Sequence, residues 1–567
     1  MFYILSLLLI LGLALNGGVG QAQQVILSAI GLTASALLLW YGRKRELTTS
    51  ALTWMACAIG LWALFEWLSS PVIYLSRTEA IQVMFYCIIG IAAQQLQDRD
   101  QSHIIKLILG LGLINCGFVV LEEFLHRSIL FTIQGITPSC IPGRYNGLLE
   151  NPNTSGEFAA MSLGLLLMWL IAIPRNRWQR LIGVTLLALC LEAIVATQSR
   201  GATVLAFVII CLLLPVQWVI TKNKQILQFA GIALLLLTLM IYSHRTLVQR
   251  LTDIQNTQLA KGSTTAQVTG ESTRIEIWKG SLRLWLKEPV LGIHPSLLDE
   301  RWLEVQPENI QAFPYKSHSF PITILCEYGL VGAILALLTL STWGYQVGTN
   351  WKKSNTSQQA AFIGASILLA GDLIDFSLYA PLHGAMFFIL AAISITATKP
   401  STEKQVYVLC CSTLFGILLL IYSIPSVVWC YELNITPATI ATERIQRAKV
   451  CLNWMPDNAF MLRDIATLYE QQGDKQNASK AHLAAFKADP FNLARLHLAF
   501  IIHATDARKA DAMIQSAIKT APNYYQTYTI AADYYRQTGR TNQATIYQTR
   551  ADYLKQFIFK GAFKIQL

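Results

Sequence analysis

Apolar residues fall along most of this chain in long blocks rather than in the short periodic stretches of water-soluble helices or strands. Blocks lie near 3–16, 24–41, 51–68, 79–96, 104–123, 157–173, 181–197, 202–220, 226–242, 319–345, 359–377, 381–397 and 406–430. Crossing the hydrocarbon of a bilayer takes about 20 apolar residues in a helix. The pattern therefore predicts about thirteen transmembrane helices. The first block, with Gly17, Gly18 and Gly20 behind it, has the apolar centre of a signal peptide. It lacks a basic flank and another block follows at once, so a retained helix is expected.

The polar residues between the blocks add orientation. Each even-numbered block is followed by cations: Arg43-Lys44-Arg45, Arg99 with Lys106, Arg175 with Arg177 and Arg180, Lys222 with Lys224, Lys352-Lys353, and Lys399 with Lys404. Lysine and arginine are retained on the cytoplasmic side, so these loops and the N-terminus are expected there. The loops 124–156 and 243–318, and everything after 430, then face outward.

Beyond 440 the texture changes. Pro456, Pro490 and Pro522 recur at intervals of 34 and 32, and Gly473 and Gly539 stand 66 apart. Stretches such as 459–472 and 478–488 carry alanine at close-packing positions. They resemble tetratricopeptide repeats, helix–turn–helix units of 34 residues, with Thr505-Asp506 in place of the middle turn glycine. The expected organisation is a membrane catalytic domain, 1–430, and an outward helical-repeat domain, 431–567, whose stacked pairs present a concave surface to peptides. A helical cap that only stabilises the membrane part is the plainer reading. The last residues, "FIFKGAFKIQL", are apolar and basic enough to lie on a membrane surface.

Composition agrees with this picture. Hydrophobic residues make up 53% and charged residues 14%, against about 25% charged in soluble domains, and the mean hydropathy is +0.43. Several soluble globules, a disordered chain and a disulfide scaffold are all excluded. The net charge of +11 is read as topology before ligand, and no nucleic-acid partner is expected. Most of the eleven cysteines lie in apolar blocks and none forms a CxxC pair, so a zinc or thioredoxin-type site is not indicated. Cys140 and Cys451 could pair in an oxidising space. No P-loop, HExxH, GxSxG or dinucleotide fingerprint occurs. An outward-facing reaction without nucleotide motifs calls for a substrate that is already activated and lipid-borne, with no cofactor.

Four polar islands stand at the outward ends of blocks. "GRYNGLLENPNTSGEF" carries Arg144, Asn151, Asn153 and Glu157; "TQSRGA" carries Arg200 in a short turn; "STRIEIWKGSLRLWLKEPVLGIHPS" puts Arg274, Trp278 and Leu282 on one helical face before Pro289 and Gly292 break it. "FPYKSHSFPITILCEYGLVG" sets Lys316 and His318 at the junction of loop and block ten. Charges beside hydrocarbon are costly and usually have a partner or a function, with snorkelling as the plain alternative for Arg200. For Glu192 an internal ion pair is expected. Asp372 and Asp375 fall within block eleven, Asp375 at its outer end with His383 beyond. They would orient a base or pair with an arginine.

The set "NPN", "SRG", "TRIEIWKGSLRLWLKEPVLGI" and "KSHSF…CEYGLVG" resembles the O-antigen ligase and polymerase superfamily over roughly 140–390. The later "DLIDFSLYAPLHGAMFF" and the repeat-bearing C-terminus look most like its protein-glycosylating branch, the bacterial O-oligosaccharyltransferases of the pilin-glycosylase type. Two positions depart from the family: Ser319 replaces an Asn after the histidine, and Asn151 stands where Gln precedes Pro-Asn. The resemblance implies a multi-pass protein of the bacterial inner membrane. It would move a preassembled oligosaccharide from polyprenyl diphosphate to a serine or threonine hydroxyl of an exported, pilin-like protein. His318 would correspond to the catalytic base and Arg200 and Arg274 to the arginines that hold the diphosphate. Arg144, Asn151, Asn153 and Asp375 would contact or orient sugar and acceptor, Lys316 would add charge near the diphosphate, and grooves near 157–220 would hold the isoprenoid. Within the superfamily the alternatives are a ligase acting on lipid A core and an O-antigen polymerase. Outside it they are a lipid-glycan transporter and a membrane scaffold.

Overall fold

A computed structural model of the chain describes residues 1–15, 21–44, 47–126, 144–149, 151–172, 176–222, 224–244, 247–248, 270–311, 313–314, 316–396, 402–429, 441–491 and 494–557. Cys140, and with it the expected pairing to Cys451, and the basic tail after 557 lie outside these residues; Cys451 itself is buried. Among the described residues there are helices and no strands. The membrane part comprises α1 (Phe2–Ala14), α2 (Gln21–Lys44), α3 (Ala51–Ser69), α4 (Ile73–Ala93), α5 (Asp98–Leu125), α6 (Pro152–Ala172), α7 (Arg177–Ala196), α8 (Arg200–Val208), α9 (Leu214–Thr221), α10 (Lys224–Ser243), α11 (Gly270–Lys287), α12 (Leu298–Trp302), α13 (Phe320–Asn350), α14 (Thr356–Gly371), α15 (Pro381–Ile393) and α16 (Thr402–Trp429). Eight of the described helices are long and apolar enough to cross a membrane, and four shorter apolar stretches, Phe2–Ala14, Ile26–Gly42, Arg200–Leu212 and Pro381–Ile393, lie among them.

Local chemistry sets several helix starts. Ser50 with Thr53, Asn176 with Gln179 and Asn355 with Gln358 form reciprocal capping boxes, each satisfying orphan backbone N–H groups of the first turn. All three follow the loops that carry Arg43 to Arg45, Arg175 and Lys352-Lys353. The centre of the bundle is α6, with 89% of its apolar window buried, whereas α10, at 22%, is peripheral.

Three apolar blocks behave differently from a plain span. Block 202–220 is two helices, α8 and α9, joined by a π-helical turn at Ile209–Leu213. Block eleven ends early. Helix α14 stops at Gly371, so Asp372 and Asp375 lie in the connection to α15 rather than inside a helix. The cause is local: the Asp372 carboxylate accepts from Leu378 N at 2.9 Å, and its carbonyl accepts from Phe320 N at 2.8 Å. These bonds offer the backbone an alternative to another helical turn.

Block ten, α13, is broken. Gly329 takes φ 62° and ψ −163°, and the backbone groups this interrupts find partners on the segment after α11. Ile293 N donates to Cys326 O at 2.9 Å and Leu330 N to Pro289 O at 3.0 Å. Non-helical backbone at membrane depth survives only where protein satisfies it in this way. The two segments meet at a pair of glycines: a Cβ on Gly292 (φ 79°) would stand 2.5 Å from Gly329 N. The glycines of "PVLG" and "CEYG" are thus one contact.

Beyond the membrane part, α17 (Ala441–Trp454) leads to three helical pairs: α18 (Ala459–Gln471) with α19 (Lys475–Ala488), α20 (Ala494–Ile502) with α21 (Ala507–Thr520), and α22 (Tyr525–Gln537) with α23 (Thr541–Lys555). Gly473 and Gly539 occupy two of the turns, and Asp506 caps α21 in the third. The array rests on the segment leading to His318. Gln311 Nε2 donates to Asn523 O at 2.7 Å, Asn523 Nδ2 to Gln306 O at 2.8 Å, and Arg550 pairs with Glu308.

A methyl group at position 329 would collide with the carbonyl of Val290. Gly329→Ala is expected to lose at least about 1–3 kcal/mol, the usual cost of overpacking, read as a lower unfolding midpoint of the detergent-solubilised protein. An unchanged midpoint would show that the two segments do not pack as described.

Candidate active site

The connection between α14 and α15 places one carboxylate, Asp375, where four chain segments converge. Asn153 Nδ2, at the start of α6, donates to Asp375 Oδ2 at 2.8 Å. Arg274 Nη2, from the first turns of α11, stands 3.5 Å from the same oxygen, and His318 Nδ1 stands 3.8 Å from Oδ1. The Phe376 N–H closes a further bond to Oδ1 at 3.0 Å. Burial on its own would raise this carboxyl, but the imidazole of His318 and the Arg274 guanidinium outweigh it and hold Asp375 below the usual carboxylate range.

His318 has a left-handed backbone, φ 55°, which is costly for a residue with a Cβ and persists only where surroundings impose it. The cause is visible on both sides of it. Ser317 Oγ donates to Ser319 O at 2.8 Å and pairs with Thr323 Oγ1 at 2.6 Å, and the His318 ring stands edge-on to Phe376 with centroids 4.8 Å apart. The turn sends the imidazole toward Asp375, with 29% of the side chain still open. Nδ1 faces the carboxylate, which leaves Nε2 as the nitrogen available to a reactant.

Arg274 also donates from Nη1 to Ile374 O at 2.9 Å. Arg200 opens α8 one residue before Gly201, and a Cβ at Gly201 would meet Ile374 Cδ1 at 3.3 Å. The turn bearing Arg200 thus packs on the residue that carries the Arg274 bond. Arg144 links that turn to the α6 start. Its Nε donates to Thr197 O at 3.0 Å, and its Nη2 donates to Asn153 Oδ1. Asn151 acts more locally, where its Oδ1 accepts from Asn153 N at 2.9 Å and caps α6.

Lys316 departs from the expectation of charge beside a diphosphate. Its side chain is wholly enclosed, and Nζ donates to Glu79 and, at 2.7 Å, to Glu327 while lying over the Tyr379 ring. Tyr328 Oη and Ser296 Oγ complete the Glu79 carboxylate at 2.9 and 2.8 Å. The reason is spacing. Lys316 and His318 are two residues apart, and the left-handed turn at His318 sends its side chain away from the side that Lys316 takes. Glu79, Glu327, and Glu66 with its partner His294 at 2.7 Å form a polar layer in which Glu327 and His294 come from the quoted segments and Glu66 and Glu79 from outside them. The signal was present as carboxylates inside apolar blocks. Glu192 is ion-paired with His244 at 3.5 Å.

A cavity of about 160 Å³ opens between α3, α4, α13 and α15, lined by Trp62, Phe320, Leu340 and Phe388 with Gln82 and Tyr379 among them. None of the residues lining this space falls within 157–220, where the isoprenoid groove is expected.

Removing one partner of a buried ion pair leaves the others uncompensated, at about 3–5 kcal/mol. Lys316→Met is therefore expected to lower the unfolding midpoint more than Lys353→Met, at an exposed position. Equal midpoints would contradict the enclosed pair.

An O-antigen ligase family model matches residues 185–337, which include Arg200, Arg274, His318 and the Gly292–Gly329 contact but not Asn153 or Asp375. No curated protein matches the chain. Over that stretch, well under half of its length, the chain is similar to membrane ligases and polymerases of the glycosyltransferase kind. The similarity points to glycosyl transfer from a lipid-linked glycan at a membrane.

Proposed function

We propose that the protein is an oligosaccharyltransferase that moves a preassembled glycan from polyprenyl diphosphate to a serine or threonine hydroxyl of an exported, pilin-like protein. The observation that carries this reading is the shared Asp375 carboxylate, which gathers Arg274, His318 and Asn153 at one place. In the reaction, the acceptor oxygen attacks the anomeric carbon as its bond to the diphosphate oxygen breaks. His318 takes the hydroxyl proton, Asp375 orients the ring and supports its positive charge, and the leaving diphosphate keeps the electron pair. Arg274 and Arg200 bind that diphosphate through planar guanidinium groups, which match phosphate oxygens and stabilise charge as it develops. Asn153 and Arg144 hold the carboxylate in register. The residues so assigned require neither a nucleotide nor a metal for the proton and charge steps.

The cavity beside Phe320 and Tyr379 fits a segment of the isoprenoid next to the reacting end. A thirteen-crossing topology of the bacterial inner membrane, N-terminus in the cytoplasm, accords with a helix at every apolar block and capping boxes beside the basic loops. The division into a membrane unit, 1–430, and a tetratricopeptide-like unit, 431–567, accords with three helical pairs after α17. Choosing a protein acceptor over lipid A core rests on that array, which packs directly against the segment 306–311 before His318.

Purified protein, a polyprenyl-diphosphate-linked glycan, and either pilin or lipid A core as acceptor make the test. His318→Ala should slow transfer to pilin by about 10²–10⁴-fold, the span for general acid–base catalysis. Arg274→Lys should weaken donor use because the fork geometry is lost. Transfer that persists in His318→Ala removes the mechanism, and transfer to lipid A core alone removes the protein acceptor.

A further inference from the structure

Away from the reaction centre, three side chains with metal-ligand chemistry meet in the C-terminal array. Glu470 stands at the end of α18, His482 in the middle of α19 and His497 in α20. His482 Nε2 and Glu470 Oε1 are 3.0 Å apart, and the two imidazoles lie face to face, centroids 5.5 Å apart and 9° from parallel. One ligand atom from each of the three residues falls within 4.8 Å of the other two.

His482 is fully enclosed, and the ring nitrogen it turns to Glu470 is Nε2. A buried imidazole that meets a carboxylate at Nε2 and stacks on a second imidazole brings three donors together at one place. The neighbouring small-residue positions of α19, Ala478, Ala481 and Ala485, show what this face otherwise accommodates. A second grouping, Glu123, Glu192 and His244, offers a contrast. There, His244 Nδ1 is bonded to the Met240 carbonyl at 2.9 Å and Nε2 to Glu123 at 2.7 Å, and the group holds one imidazole where the C-terminal one holds two.

We propose that Glu470, His482 and His497 form a binding site for a divalent transition-metal cation of the zinc class. Two imidazole nitrogens and one carboxylate oxygen are a donor set suited to Zn²⁺, with one position left to water, and unsuited to Ca²⁺ or Mg²⁺, which take oxygen ligands. Glu470 is exposed and gives the ion an entry path; the buried histidine anchors it. Binding turns the His497 ring out of its stack so that a nitrogen from each imidazole points at the ion. The cation then ties the first helical pair, through Glu470 and His482, to the second, through His497. In an array where each unit touches only its neighbours, such a tie stiffens the end of the domain that follows α17.

The test uses the full chain in detergent, stripped with EDTA, dialysed, and equilibrated with Zn²⁺ at micromolar free concentration. Bound zinc per chain is measured by mass spectrometry for the unaltered protein, His497→Gln, Glu470→Gln and the control His503→Gln. The unaltered protein and the control should each bind about one zinc more than either site variant. X-ray absorption at the zinc edge of the unaltered protein should show imidazole scattering that falls in His497→Gln. Circular dichroism without zinc guards against a folding defect, and Glu470→Gln, at an exposed position, supplies the answer should His497→Gln be misfolded. The same zinc content in the unaltered protein and both site variants overturns the proposal. So does zinc lost equally in the control.

Discussion

A single carboxylate with more claimants than oxygens organises one end of this bundle. Asp375 has two oxygens, and Asn153, Arg274, His318 and its own neighbour Phe376 all address them. Each comes from a different part of the chain: the start of α6, the helix after the long loop, the junction before α13, and the connection after α14. A buried carboxylate is tolerable only when paired and hydrogen-bonded, so these segments cannot separate without exposing an unpaired charge to an apolar setting. The requirement that Asp375 be satisfied therefore fixes the relative positions of Arg274 and His318. It does so without placing them in direct contact, which would drive two cations together. The arrangement leaves Nε2 of the imidazole, and the guanidinium edge not turned to Ile374 and Asp375, facing away from the hub. That is the geometry the proposed roles of base and anion-binding group require.

The broken helix α13 serves the same end. A continuous helix from Phe320 would have its backbone satisfied internally and would have no reason to engage the segment after α11. Breaking it at Gly329 exposes backbone groups that Pro289 to Ile293 must satisfy, and this draws the end of α11 against α13. Arg274 lies on α11 and His318 immediately before α13. A backbone-to-backbone contact at Gly292 and Gly329 therefore sets the distance between two side chains more than ten residues away from it along each segment. Neither glycine can be replaced by a residue with a Cβ without moving one helix relative to the other.

Much of this was legible in the sequence, for identifiable reasons. Apolar blocks are set by the bilayer, so the helical membrane part could be read from composition alone. The helical pairs after 440 announced themselves through proline and glycine spacing, because turns have strict backbone requirements. Arg274, Trp278 and Leu282 implied α11 through helical periodicity. What could not be read was direction. Lys316 and His318 look alike as polar residues beside a span, but one faces Glu79 and Glu327 and the other Asp375. Nothing in residue type reveals which side of a loop a side chain leaves. Hydropathy puts Asp375 inside a helix because it averages over the bonds by which Asp372 ends α14. The pairing of Glu79 and Glu327 had no sequence signal, since their shared partner lies 237 residues from one and 11 from the other.

The opposed directions of Lys316 and His318 also explain how a strained residue can be held beside Asp375. A left-handed backbone at a residue with a Cβ costs about 1–3 kcal/mol, and an isolated loop would relax it. Here Lys316 is fixed two residues earlier by two carboxylates, and Phe320 is fixed two residues later by the carbonyl of Asp372. With both ends anchored, the short stretch between them has no slack in which to untwist. The buried ion pair thus acts on the imidazole through the chain and not through space. Replacing the lysine and its carboxylates by well-packed apolar residues could retain the fold, since buried pairs are seldom better than hydrophobic substitutes for stability. It would not retain the anchor, because apolar contacts tolerate the small sliding that would let His318 turn away from Asp375. A charged layer behind the site makes sense as a device for direction, in a membrane where burying charge is otherwise a cost.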